Sequence, residues 1–230
     1  MLYEPIQKYV GSAVVVRSEK FGDEWHNVAV TANHVSATSQ NSVVRAGVYE
    51  DWSKFVGYRS YWTQKVYASK PQYDLSVVLF ISDRELPVAK INMDGKVYIG
   101  NQVFRFGCGL GDQFRLDRGE VTSVNAKIGD LKDMYRTSIT TVEGDSGGPV
   151  FNKDYEVVGI TSAIRARRDN PFMASKLYHI SFIVPVTKLK TLRDGLDNEV
   201  KFVYDASEPL PVIPYFEMKM RNMTFVEEGP

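Results

Sequence analysis

The sequence predicts an all-β protein, and three observations carry that reading. Short β-branched and apolar runs recur at residues 11–17, 27–32, 42–49, 55–67 and 75–81, with Gly, Asp, Asn or Ser between them. A second set follows at 96–107, 119–126, 137–141, 149–163 and 177–186, and strand-length runs with frequent turn signals favour a barrel or sandwich. Between the sets, residues 87–95 lack periodicity and carry Pro, Asn, Asp and Gly, which marks a linker. Only near the end, over residues 187–196, do apolar residues fall at helical spacing, at Leu189, Leu192 and Leu196.

Composition bounds the function classes. The chain has 230 residues, 43% hydrophobic and 24% charged, enough for a core that is stable without crosslinks. Its single cysteine, Cys108, rules out an intramolecular disulfide and suits a reducing compartment, and a buried strand thiol is the expected role. Lys plus Arg equals Asp plus Glu at 28 each, which argues against a general affinity for nucleic acid or anionic membranes. The basic run at 165–168 reads as a solvated loop. No apolar stretch approaches the roughly 20 residues that a membrane helix needs, so membrane insertion is not expected. Residues 1–5, Met-Leu-Tyr-Glu-Pro, show neither the basic nor the apolar region of a secretory signal. The expected location is therefore cytoplasmic. The sequon at Asn222 would then stay unmodified.

One segment carries chemistry. In the run 144–150, Gly-Asp-Ser-Gly-Gly-Pro-Val, the Ser146 hydroxyl sits between glycines that can hold a tight, open backbone. Serine is a weak nucleophile near neutral pH and needs a base to take its proton. The base needs a carboxylate that fixes its tautomer and stabilises its charged form. Upstream lie His34, in Thr-Ala-Asn-His-Val, and Asp74, which opens the apolar run Asp-Leu-Ser-Val-Val. The other histidines have duller readings, His26 as a surface residue in a polar turn and His179 as a partly buried strand position. The stretch 107–111, Gly-Cys-Gly-Leu-Gly, has the wrong spacing for a dinucleotide loop. Histidine pairs with metal-ligand spacing are lacking, and the acidic residues are scattered. No metal and no cofactor are expected.

These blocks, in the order His, Asp, Ser, together with Val-Gly-Ile-Thr-Ser at 158–162, resemble the trypsin-like (chymotrypsin-fold) serine peptidases, including the HtrA type. The resemblance spans roughly residues 10–190 and implies two six-stranded-type antiparallel β-barrels packed side by side. It implies an N-terminal barrel over 1–86 with His34 and Asp74, and a C-terminal barrel over 96–190 with Ser146. The active site would lie in the cleft between them, and a short terminal helix and extension would occupy 191–230. By resemblance, Ser146 is the nucleophile, His34 the general base and Asp74 its support. The backbone N–H groups of Gly144 and Ser146 would form the oxyanion hole. Ser162, Ala163 and Ile164 would present an edge to a polypeptide substrate.

Primary specificity is expected from Thr140, six residues before the nucleophile, and from Ile164. An uncharged floor and a branched wall imply cleavage after small or medium aliphatic residues. An acidic preference is the alternative, with His179 and Lys176 converging on Thr140. Two other classes stay open on the same residues: a catalytically silent binding module, and an ester or other acyl hydrolase. The latter's usual order is Ser, acid, His, whereas here histidine comes first.

Departures from the family pattern are equally specific. No Ile-Val-Gly-Gly activation end lies at the family's distance before His34, and the run from Gly11 resembles the HtrA-type first strand. Asp145 stands where HtrA-type chains usually carry asparagine, and if buried it requires a partner. No PDZ domain follows, which also resembles compact bacterial and viral trypsin-like peptidases; a host cytoplasmic or virion setting would go with the viral case. Residues 197–230 contain apolar side chains at 210, 212, 213, 215 and 216 among prolines. That tail is expected to pack on the body or on a second subunit.

Overall fold

The computed structural model describes residues 11–36, 43–50, 54–69, 71–93, 96–109, 115–167 and 175–192. Five strands make the first sheet: β1 (Val14–Phe21), β2 (Glu24–Thr31), β3 (Val43–Glu50), β4 (Lys54–Ala68) and β5 (Ser76–Ser82). All pairings are antiparallel, in the order β1-β2-β5-β4-β3. Six strands close the second unit into a barrel: β6 (Gln102–Gly107), β7 (Arg115–Ile128), β8 (Leu131–Thr137), β9 (Pro149–Phe151), β10 (Val157–Arg167) and β11 (Ser175–Pro185). The barrel order is β10-β11-β8-β7-β6-β9. The expected all-β, two-unit architecture is present. Six strands close the second unit, and the first has five among the described residues.

Period-two alternation explains how the central strands serve two cores. Val28 and Val30 of β2, with Val77 and Leu79 of β5, face one cluster, while Ala29 and Phe80 face another with Tyr61 and Leu86. The first cluster does not stop at the sheet. It continues through Met134, Val157, Ile160, Phe182, Val184 and Leu189 of the second unit. Inside the barrel, Val103, Val121, Ile139, Val150, Val158 and Ile183 form a third cluster.

The stretch 87–95 does more than link. Ala89 N donates to Val15 O at 2.8 Å, while Asn92 N donates to Val157 O at 2.9 Å. Ile91 forms a parallel bridge with Val157, and Ile91 and Met93 are buried in the shared core. A stretch without strand periodicity is thus fastened to both units, to the second also through Val157 N donating to Lys90 O at 2.8 Å.

Several expected elements shift. The strand expected at 137–141 lies earlier, at β8, whose Lys132 and Asp133 disguise it because its exposed positions are charged. Residues 96–101 form no strand: the chain turns at 99–100, leaving Tyr98 and Ile99 outside, and Gly100 and Asn101 bond to Val121 of β7. His26 is a half-buried residue of β2, its ring 4.8 Å from that of Phe21, rather than a turn residue. The terminal helix is one 3₁₀ segment, Val186–Thr191, followed by extended Leu192. Val186, Thr187 and Thr191 are β-branched and disfavour a longer α-helix, and 3₁₀ turns are common connectors. Leu189 and Leu192 are buried as expected, while Leu196 and the tail 197–230 lie outside the described residues.

Candidate active site

His34 lies in a four-residue helix, Asn33–Ser36, directly after β2. Asp74 precedes β5, which pairs with β2, so Thr31 and Ser76 are cross-strand partners and bring the two together. The Asp74 carboxylate grips the histidine twice: His34 N donates to Oδ1 at 2.9 Å, and Nδ1 lies 2.8 Å from Oδ2. Oδ2 also accepts the Ser162 hydroxyl. Asp74 holds φ at 46°, a left-handed conformation that aspartate tolerates better than most residues. Such backbone strain persists where neighbours over-determine it. The Asp74 hydrogen bond raises the His34 pKa above the ordinary 6.5; partial burial opposes this, and the carboxylate's charge adds to it.

Ser162 reaches Asp74 from the other unit through a local irregularity. The register of β10 with β11 shifts between Thr161 and Ala163, the signature of a bulge that re-aims the side chain between them. Pairing of β10 with β9 ends at Ile160. Thr161 then exchanges bonds with the loop that carries Ser146: Gly147 N to Thr161 O at 2.7 Å, and Thr161 N to Gly148 O at 2.9 Å.

That loop is a tight turn built on two positive φ values, 94° at Gly144 and 86° at Gly147. A Cβ on Gly147 would sit 2.0 Å from Ser12 O and 2.2 Å from Thr31 Oγ1, so only glycine fits. The Ser146 hydroxyl points toward Ser162 O, 3.5 Å away. Among the described residues, no hydrogen bond takes the N–H of Gly144 or Ser146.

Asp145 is fully buried, and its partners are now visible. Its Oδ2 lies 2.8 Å from Arg105 Nη2 and 3.2 Å from Arg115 Nη2, and accepts Val142 N at 2.8 Å. Arg105, itself fully buried, also reaches Asp117, the Thr140 carbonyl at 2.9 Å and Thr141 Oγ1 at 2.8 Å. Asp117 in turn takes Arg115 Nε at 2.9 Å. Gly107 passes close over this pair: a Cβ there would lie 2.7 Å from Asp145 Oδ1 and 3.4 Å from Arg105 Nε.

A family model for the trypsin-like peptidase domain matches residues 11–160. The chain belongs to the trypsin-like peptidase family. A DegP-like periplasmic serine endoprotease of Pseudomonas putida (strain GB-1) is 27% identical to this peptidase domain over 181 residues, 77% of the chain and 32% of that protein. One from Marinomonas sp. (strain MWYL1) is 29% identical over 147 residues, 62% of the chain and 29% of that protein. The chain thus spans about a third of the length of these curated relatives. Among solved structures, the HtrA-type protease AlgW with decapeptide superposes with a TM-score of 0.58 at 24% identity. The match covers 77% of this chain and 48% of that one, and it shows the fold. These relatives overturn the cytoplasmic expectation, since they are named periplasmic. A lone cysteine forbids an internal disulfide but is compatible with an oxidising compartment as well as a reducing one.

In this peptidase domain, His34, Asp74, Gly144, Ser146 and Ser162 are brought to one place. Thr140 is exposed with its carbonyl held by Arg105, and Ala163 is half-buried on β10. Ile164, Lys176 and His179 lie on strands, but their side chains fall outside the described residues. Cys108 follows β6 and is half-buried, rather than a buried strand thiol, and burial raises its pKa. Sequence reasoning missed Arg105, Arg115, Asp117 and Ser12. Arg105 shares strand parity with buried Val103 and Gly107, a signal masked by the aromatic pair Phe104 and Phe106 on the opposite face.

Proposed function

We propose that this domain is a serine endopeptidase working through Ser146, His34 and Asp74. The observation that carries the reading is the double grip of Asp74 on His34. It commits Nδ1 to the carboxylate and leaves Nε2 as the basic nitrogen. In the productive state the Ser146 hydroxyl turns from Ser162 O to Nε2; such contacts are often loose before substrate binds. Ser146 Oγ then attacks the scissile carbonyl as His34 takes its proton. The oxyanion lies against the N–H groups of Gly144 and Ser146, which no hydrogen bond takes among the described residues, and this supports that role. Collapse breaks the C–N bond, His34 protonates the leaving amine, and water activated by His34 hydrolyses the acyl-enzyme.

The substrate is a polypeptide. Its main chain would lie along β10 from Ser162 to Ile164, where pairing with β9 has ended. Uncharged Thr140 supports cleavage after small or medium aliphatic residues. By likeness to the named relatives, the compartment we infer is the periplasm. The units are taken as 1–86 and 96–190, and the tail 197–230 as a surface for self-association or a partner.

Ser146→Ala and His34→Ala are each expected to abolish hydrolysis of a peptide-amide library without unfolding the protein, and the double variant to be barely worse than either. Wild-type turnover by Ser146→Ala would end this reading. Dominant cleavage after Lys or Arg would end the specificity assignment alone.

A further inference from the structure

The catalytic serine's loop is fastened from the opposite sheet by one small residue. Ser12 stands just before β1, 6% exposed. Its hydroxyl donates to Gly144 O at 2.8 Å and accepts Cys108 N at 3.1 Å. Its N–H donates to Ser146 O at 2.7 Å. Its carbonyl accepts Thr31 Oγ1 at 2.7 Å, three residues before His34. Every polar group of Ser12 is used, and three of the four bonds leave its own sheet.

The carbonyls held are those of the peptide that carries one of the two candidate oxyanion donors, the Ser146 N–H, and of the peptides that flank it. The Ser146 N–H belongs to the peptide joining residues 145 and 146, whose carbonyl accepts Gly148 N at 2.9 Å. Ser12 holds the peptides on either side, through Gly144 O and Ser146 O. A trans peptide is planar, so fixing three successive carbonyls fixes the intervening N–H directions. Glycine at 144, with φ at 94°, offers little resistance of its own to rotation, so the restraint has to come from outside. Misplacement by about 1 Å in such a site can cost about a hundredfold in rate.

We propose that Ser12 is a positioning residue whose hydroxyl, anchored to the sheet that carries His34, sets the oxyanion-binding conformation of residues 144–146. The proposal rests on the serine-peptidase reading above. It concerns a residue that touches neither substrate nor the reacting atoms.

The test compares full-length Ser12→Ala and Ser12→Thr with wild type on one peptide-amide substrate and one peptide boronic acid, which forms a tetrahedral adduct. Ser12→Ala should lower kcat about 10- to 100-fold, a loss bounded by that of removing an oxyanion donor outright. KM should stay within about twofold, and boronate affinity should fall by about the same factor as kcat/KM. The pH midpoint should not move, because Asp74 and His34 keep their contacts. Ser12→Thr keeps the hydroxyl and should keep kcat within about threefold. Three results overturn the proposal: unchanged kcat in Ser12→Ala, a loss confined to KM, or a folded Ser12→Thr no faster than Ser12→Ala. Ser146→Ala, run alongside, separates the two ideas. Retained turnover there removes the triad reading and this inference with it. An inactive Ser146→Ala beside a fully active Ser12→Ala removes this inference only.

Discussion

Asp145 and Arg105 show how much one buried charge constrains its surroundings. A buried carboxylate without a cation is costly, and removing one member of a buried pair typically costs about 3–5 kcal/mol. Arg105→Leu should therefore destabilise by about that amount in urea denaturation and lower kcat with it, since Val142 N and Thr140 O share the network. Arg115 is 39% exposed, and its truncation to alanine should cost about 1 kcal/mol or less. Equal effects of the two substitutions would show that the buried pair is not what holds Asp145. At His34 the raised pKa fixes the sign of a second expectation. In the proposed mechanism His34 acts as a base when neutral, so kcat/KM should rise with pH through a midpoint above 6.5. The His34–Asp74 contact contributes stability below the ordinary histidine pKa, and that contribution is lost as pH rises through the raised value. A midpoint at or below 6.5 would contradict the grip of Asp74. Asp74→Asn should lower the midpoint.

At the scale of elements, the turn around Ser146 is the least forgiving piece. Gly147→Ala meets backbone at 2.0 Å and a positive φ together, so it should abolish activity and lower stability, whereas Gly129→Ala meets φ alone with open space around it. Comparable thermal stability of the two variants would refute this. The same turn was legible in the sequence because chemistry leaves few choices there: a hydroxyl between glycines, a histidine after a β-branched run, an aspartate before one. What alternation alone left hidden was phase. In β6 the aromatic Phe104 and Phe106 are the natural inward candidates, yet Arg105 turns inward because Asp117, Asp145 and Thr140 O await it. Phe104 instead stacks on Phe151 at 5.4 Å outside the barrel. β8 was missed for the opposite reason: its exposed positions are charged, and only Met134 and Thr137 are buried. Partners distant in sequence decide such cases, and no local window contains them.

For the whole molecule, the internal pairing of Asp145 matters to activation. Its cations, Arg105 and Arg115, belong to strands of the same barrel, so ordering the loop does not call on a newly cut terminal ammonium. Freshly purified chain should therefore react with an active-site fluorophosphonate before any proteolytic cut, and a strict requirement for cleavage would refute that. The shared core leads to a second expectation. Val30 and Leu79 of the first sheet pack in one cluster with Val157 and Phe182 of the barrel, through Ile91 and Met93. Calorimetry should show one cooperative transition, and Met93→Ala should lower it as a single peak, by about 2–5 kcal/mol. Two separated transitions would show that the halves melt independently.

An endopeptidase of the kind proposed is surrounded by copies able to cut it. Digestion begins at segments that open locally, and its pace follows the population of those open forms when reclosing is fast. The stretch between the sheets would ordinarily be such a weak point. Here Ile91 and Met93 anchor it in the core, and Ala89 and Asn92 tie it to β1 and β10. Opening the stretch 91–93 means breaking the core that both halves share, so a cut there draws on the stability of the whole fold.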